Sequence, residues 1–189
     1  MVVKGRKDLR GASLQGADFK GADLEKANLI EANLREANLE GANLKGADLF
    51  EANLKEAHLE GAYLIWADLR WVQLEAAYLE GAHLEGTKLE GANLERADLK
   101  KANLEGANLI NVNLRGANLK GANFKGANLE GAILEEANFE AAFLEEVYGL
   151  SPDRLSKVKT LYNAKLDEKF FMLLKEKYPA LFERPDYKE

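Results

Sequence analysis

Every fifth residue from Leu9 to Leu144 is Leu or Phe, without insertion or slip, which makes 28 consecutive five-residue units. Phe19, Phe124 and Phe139 are the only centres that are not Leu. Two positions before each centre stands a small residue, Ala in 24 of the 28 units, with Lys7, Val72, Thr87 and Val112 as the exceptions. An unbroken repeat of this kind dictates an architecture before any local propensity is weighed. It constrains activity far less, and marks the chain chiefly as a rigid scaffold that works by binding.

Neither ordinary secondary-structure period explains the pattern. A helix repeats its apolar face at about 3.6 residues and a half-buried strand at about 2. On a straight helix, steps of five residues would advance successive Leu side chains by about 140° net, so no single face would bury them. A coil in which each quintet forms one side satisfies every unit in the same way. Leu and Ala point inward, the other three residues point outward, and stacked coils bond backbone to backbone about 4.8 Å apart.

Units such as Ala17-Asp18-Phe19-Lys20-Gly21, Ala42-Asn43-Leu44-Lys45-Gly46 and Ala92-Asn93-Leu94-Glu95-Arg96 resemble those of the pentapeptide-repeat family, and the resemblance covers residues 7 to about 148. It implies an all-β solenoid: a right-handed quadrilateral β-helix with four units and 20 residues per coil, hence about seven coils and a rod of roughly 34 Å at the strand spacing. Ala is expected at the second inward position because a larger group would collide with the Leu across a narrow interior. Asn or Asp fills 19 of the 28 positions just before the centre. Their short polar side chains bond nearby backbone and form ladders up the stack. Gly recurs at the corner position, as at Gly21, Gly41 and Gly61, where a tight turn calls for positive φ.

Three segments are expected: a lead over residues 1–8, the β-helix over 9–148, and a small α-helical cap over 149–189. The period changes at Gly149. Ser151, Pro152 and Asp153 read as the start of a helix over about 152–164 that places Leu155, Val158, Leu161 and Tyr162 on one face. Asp167 reads as the cap of a second helix through Tyr178, with Phe170, Phe171, Leu173 and Leu174 as its apolar face. Both are expected to cover the last coil, because an open solenoid end is a strand edge; the alternative use is a dimerisation surface. The N-terminal end shows no comparable apolar segment, and Lys4, Arg6 and Lys7 discourage edge pairing there unless that end is itself a contact surface. The chain has no Cys, two His, and no apolar run long enough for a signal peptide or a membrane span. A cytoplasmic protein without cofactor or metal site is expected, either monomeric or joined as a homodimer through a solenoid end.

Some members of the family bind DNA gyrase and imitate duplex DNA in size and charge, and others contribute to quinolone resistance. Residues 11–150 carry 24 acidic and 13 basic residues, a net charge of −11. Sorted by the four sides, that charge divides into −4, −2, −2 and −3, so no side is a concentrated acidic stripe. Duplex DNA of the same length, about 34 Å, carries about 20 charges. DNA mimicry toward gyrase is therefore the second reading. Direct nucleic-acid binding is not expected from an acidic repeat surface without a basic patch.

Departures from the repeat concentrate between residues 58 and 88. His58, Tyr63, Gln73, Tyr78, His83 and Lys88 replace Asn or Asp, and Trp66 and Trp71, the only two Trp, stand at corners. Residues one coil apart are expected to stack, placing His58 under Tyr78 and Tyr63 under His83, with Trp66 between Gly46 and Gly86. Ile30, Phe50 and Arg70 form a further column beside the two Trp, with Ile65 added to that side. An outward aromatic cluster is the composition of a binding surface. The candidate partner patch is accordingly Phe50, His58, Tyr63, Ile65, Trp66, Arg70, Trp71, Tyr78 and His83, with a protein as the expected partner. The competing reading is that stacked aromatics only stabilise the ladder, and Val72 and Thr87 point that way. A third reading is a purely structural β-helix. Catalysis is not expected: His58 and His83 have no recognisable nucleophile, and a convex side excludes no water.

Overall fold

In the computed structural model, which describes residues 7–186, the repeat closes by hydrogen bonding between successive coils. Parallel pairing runs in register from Asp8 with Asn28, through His58 with Tyr78, to Asn128 with Tyr148. Each residue pairs with the one at the same position four quintets later, so four quintets complete one coil.

One quintet shows how the backbone is satisfied. In Ala42–Gly46, the Ala42 N–H donates to Leu39 O at 3.0 Å and closes the bend from the preceding side. Asn43 N–H donates down to Ala22 O at 2.9 Å, while Leu44 N–H donates up to Tyr63 O at 2.7 Å and Gly46 N–H up to Ile65 O at 3.0 Å. The fifth donor, Lys45 N–H, faces the bend and has no carbonyl opposite; the Asn43 side chain accepts it at 3.3 Å. All five donors are thus placed, as a buried backbone requires. The need for an Asn or Asp oxygen before the centre follows from this geometry, since its side chain reaches the N–H two residues on.

The corner residue adopts positive φ whatever its identity. Gly21 has φ +61°, and Glu31, Trp66 and Trp71 have φ +57°, +60° and +60°. Gly takes this conformation without steric cost, and other residues are strained there. Inside, the Leu and Ala columns are buried from Leu24 to Leu144. Phe124 and Phe139, on different sides of the solenoid, fill the upper interior with ring centroids 5.7 Å apart. The exceptions at the Ala position act on the bend. The N–H of Val72, Thr87 and Val112 reaches its turn acceptor at 3.3, 3.2 and 3.2 Å, against 2.8 to 3.1 Å at the Ala bends. Buried Thr87 also donates its hydroxyl to Leu84 O at 2.7 Å, so its polar group is satisfied.

The C-terminal segment differs from the expected pair of helices. Helix α1 spans only Pro152–Leu155, capped by the Ser151 hydroxyl on Arg154 N–H. Beyond it the chain returns to the ladder: Phe139 N–H donates to Thr160 O and Leu144 N–H to Lys165 O. These pairings reach further along the chain than Leu44 to Tyr63 and its equivalents in the repeat, because the turn of α1 is inserted in the coil. Unpaired donors on the last repeat coil outweigh the modest helical preference of residues 156–164. Helix α2, Glu168–Lys177, then crosses the end with Leu174 buried, followed by a 3-10 turn over Pro179–Phe182. Asp167 precedes α2 but does not cap it; its carboxylate accepts from Glu146 N–H instead. Of the expected apolar face, Leu173 is exposed together with Met172. At the other end Lys7 pairs with Asp23 at 3.4 Å, while Lys4 and Arg6 lie outside the described residues.

Removing one inward Leu leaves a cavity that a ladder bonded on both sides cannot close. Leu104→Ala should lower unfolding free energy by about 2–5 kcal/mol, measured by denaturant titration followed by circular dichroism.

Candidate functional site

The nine patch residues fall on three consecutive sides of the solenoid. His58 and Tyr78 stack on one side, with ring centroids 4.6 Å apart and planes 10° from parallel. Tyr63 and His83 stack on the next, at 4.8 Å and 3°. Ile65 shares the side of Tyr63, around the corner from Phe50 and Arg70 rather than beside them, because a corner falls at Trp66. Trp66 and Trp71 then bracket the third side, which carries Asp68 and Arg70 at their level. Trp66 therefore stands at the corner between the side of Tyr63, Ile65 and His83 and the side of Phe50 and Arg70, with Trp71 at the far corner of the latter. His58 and Tyr78 stand one side further away.

The two indoles are among the most exposed large apolar groups of the repeat region, at 73% and 55%. Each lies flat against the glycine one coil above. A Cβ at Gly86 would come within 2.5 Å of the Trp66 ring, and one at Gly91 would overlap Trp71. Bare backbone is the only surface on which a corner indole can rest so closely. Phe50, by contrast, is covered: the Arg70 guanidinium lies 5.5 Å above its ring and is itself fixed on Asp68 by bonds of 2.8 and 2.7 Å. Burial pushes the Asp68 carboxyl up, but the Arg70 hydrogen bonds and charge, with Lys88, outweigh it and hold the group below its ordinary value.

The histidines are engaged by neighbours. Nδ1 of His58 lies 3.2 Å from Glu60, and Nδ1 of His83 lies 3.6 Å from Glu85. These glutamates reveal a rule that reading the repeat for aromatics alone misses. Eight units lack Asn, Asp or Ser before the centre, and seven of them carry Glu two residues on; among the other twenty units only six do. The Glu thus follows where the N–H of that position has lost its side-chain acceptor. One carboxylate oxygen is buried without a hydrogen-bond partner in Glu60, Glu85, Glu90 and Glu135. In Glu135 the carboxylate is turned onto its own N–H, which together with Lys157 holds its pKa down. The other oxygen of Glu85 and of Glu90 accepts from the coil above, from Asn103 at 2.8 Å and Asn108 at 2.7 Å. Within 58–88 the regular bend persists at Asp68, whose side chain accepts from Arg70 N–H at 3.3 Å, and the Tyr63 unit carries Ile65 in place of Glu.

Beside Trp66 lies a hollow of about 670 Å³ lined by Glu25, Lys26, Gly46, Asp48, Asp68 and Lys88. Asp48 is not legible as a site residue from its own unit, which is regular. The signal is its pairing with a second Asp, Asp68, on the next coil. Among the described residues no group of three or more His, Cys, Asp or Glu is arranged to hold a metal ion, and no helix is long and apolar enough to cross a membrane.

Two outcomes follow from these contacts. Glu85→Ala should cost about 1–2 kcal/mol by removing the carboxylate that accepts from the Asn103 amide at 2.8 Å, whereas Glu130→Ala, where the Asn128 side chain serves the bend, should cost almost nothing. Adding His83→Asn to Glu85→Ala should recover most of the loss in thermal unfolding. Gly86→Ala should dislodge the Trp66 indole, raising its quenching by acrylamide, and destabilise by about 1–3 kcal/mol through overlap and positive φ.

No curated protein sequence matches the chain. Among solved structures it is similar to a trypsin-treated form of QnrB1, a plasmid-mediated fluoroquinolone resistance protein, with 28% identity and a TM-score of 0.59 over 86% of this chain and 83% of that one. It is also similar to a pentapeptide-repeat protein of the Arabidopsis thaliana thylakoid lumen, 36% identical over 61% of this chain and 67% of that one, with a TM-score of 0.41. A third is HetL of the cyanobacterium Nostoc, involved in regulating heterocyst differentiation, 35% identical over 76% and 70% with a TM-score of 0.26. The architecture is a right-handed β-helix solenoid with a small helical part. The family model for pentapeptide repeats matches in overlapping segments from residue 8 to residue 147, and the chain belongs to the pentapeptide-repeat family.

Proposed function

We propose that the protein is a non-enzymatic cytoplasmic scaffold that docks another protein on the side framed by Trp66 and Trp71. The observation that carries this reading is the pair of exposed indoles held flat on Gly86 and Gly91 at opposite corners of one side. Interface energy concentrates in a few aromatic and Arg anchors. Anchors already immobilised by the backbone lose little entropy when a partner arrives. Tyr63 and His83 extend the surface around the Trp66 corner, and Lys45 lies 5.5 Å over the Tyr63 ring. His58 and His83 each face a Glu and a Tyr ring rather than a nucleophile, which supports a binding role over a catalytic one.

A second reading, binding to a type II topoisomerase such as DNA gyrase, is supported by the likeness to QnrB1 over 86% of the chain and by the acidic repeat region. The charge pattern speaks against close mimicry of DNA. Carboxylates are interleaved with cations one coil away, as in Lys20 with Glu40 at 2.6 Å and Lys55 with Glu75 at 2.9 Å.

The test compares affinity capture by the wild type and by Trp66→Gly/Trp71→Gly. Gly suits both corners because it accepts their positive φ without strain. With folding matched by circular dichroism, a partner retained by the first and lost by the second is the expected result. Identical capture profiles refute the docking surface. In a supercoiling assay, inhibition of gyrase or its protection from a quinolone, undiminished in the double variant, would shift the assignment to the second reading.

A further inference from the structure

Helix α2 covers the last coil with one face and leaves the other uncovered. Leu174 is buried and Phe170 packs against the core. The opposite face carries Lys169, Met172, Leu173 and Glu176, all exposed. Their spacing, i, i+3, i+4 and i+7, is the stripe by which one helix lies on another. Met172 and Leu173 are 61% and 48% exposed, and a hollow of about 590 Å³ beside them is lined by these two with Lys175 and Glu176. The contacts that hold the cap are made elsewhere: Phe171 meets the Phe182 ring at 5.1 Å, Lys175 lies 5.4 Å over the Phe171 ring, and Lys177 pairs with Asp153 at 3.0 Å. Lys169 and Glu176 form no ion pair among the described residues. The coils beneath pair theirs, as in Lys120 with Glu140 at 2.9 Å and Lys157 with Glu135 at 3.2 Å.

The stripe is complementary to itself. With two such helices antiparallel about a two-fold axis between Met172 and Leu173, Lys169 of each copy stands against Glu176 of the other, and Met172 against Leu173. Within one copy Lys169 and Glu176 lie about 10 Å apart along the helix axis, too far to pair with each other. An anionic surface would be met by cations alone, and this stripe carries one charge of each sign. Net charge favours the same occupant. Residues 11–150 carry −11, so two rods repel side by side, whereas residues 151–189 hold nine basic and seven acidic residues and can meet end to end. We infer that this face of α2 is an interface with a second copy of this chain, an antiparallel helix pair that joins two solenoids by their capped ends. The pairing stands independently of the docking surface proposed above. One pair of ten-residue helices makes a small interface, which places the dissociation constant on the order of micromolar.

The test is sedimentation velocity of the whole chain over a range of concentrations at physiological salt. The wild type should pass from monomer to dimer as concentration rises. Lys169→Glu sets a carboxylate against Glu176 of the second copy, and Glu176→Lys sets an ammonium against its Lys169. Each reversal should weaken association by about tenfold or more, since like charges are then juxtaposed. Both changes on one chain should restore the dimer. Equal amounts of the two single variants, mixed, should also pair, because each then meets its opposite in the other chain. Loss on single reversal with recovery on double reversal is the signature of the antiparallel pair, and a cap merely damaged by substitution would not recover. A wild type that stays monomeric throughout overturns the proposal. So does a dimer that neither reversal weakens, or a loss that neither the double variant nor the mixture rescues.

Discussion

A bend every five residues exposes one backbone N–H that no neighbouring coil can reach, and the rest of the structure depends on how that donor is met. No carbonyl of the coil above or below accepts from it; the ladder donors take those of the residues before and after the centre and of the Ala position. Only a side chain remains, and a short one two residues earlier is best placed. Asn and Asp at this position are therefore structural parts of the turn before they are surface residues. Once the bend is satisfied, the interior follows: Leu and Ala must both fit inside a square of backbone only one quintet to a side. Val72, Thr87 and Val112 are taken into that interior fully buried with bends lengthened to 3.2 or 3.3 Å.

The repeat made the solenoid legible because one pattern is enforced 28 times and nothing local competes with it. The same reasoning placed the stacks of His58 with Tyr78 and Tyr63 with His83, and Trp66 over a glycine, since register alone settles which residues meet. It failed where the period stops. Ser151, Pro152 and Asp153 carry a genuine helix start, and the apolar spacing that follows is helical. What the local pattern does not contain is the row of donors and acceptors left open on the last coil, which draws residues 157–165 back into the ladder. Leu155, Val158 and Leu161 are buried all the same, so the spacing was informative about burial and misleading about backbone.

The apparent irregularity of residues 58–88 has a similar origin. Viewed one position at a time, it is a run of substitutions for Asn. Viewed as pairs, most substitutions come with a Glu two residues later, Tyr63 with Ile65 being the exception. Stacking at 4.6 and 4.8 Å holds the rings in register from coil to coil. On this account His58, Tyr78, Tyr63 and His83 have sufficient structural reason to exist.

The same explanation does not extend to Trp66 and Trp71. Twelve other corners carry Lys, Glu, Arg, Asn or Ala at the same positive φ, so strain alone does not set the two Trp apart. The exposure of their rings does, at 73% and 55%. Proteins depart from local consistency chiefly where a site requires it. The two Trp border one side of the rod. The distinction between residues that the fold explains and residues that it tolerates therefore selects a smaller surface than aromatic content does. It is centred on Trp66 rather than spread over three sides.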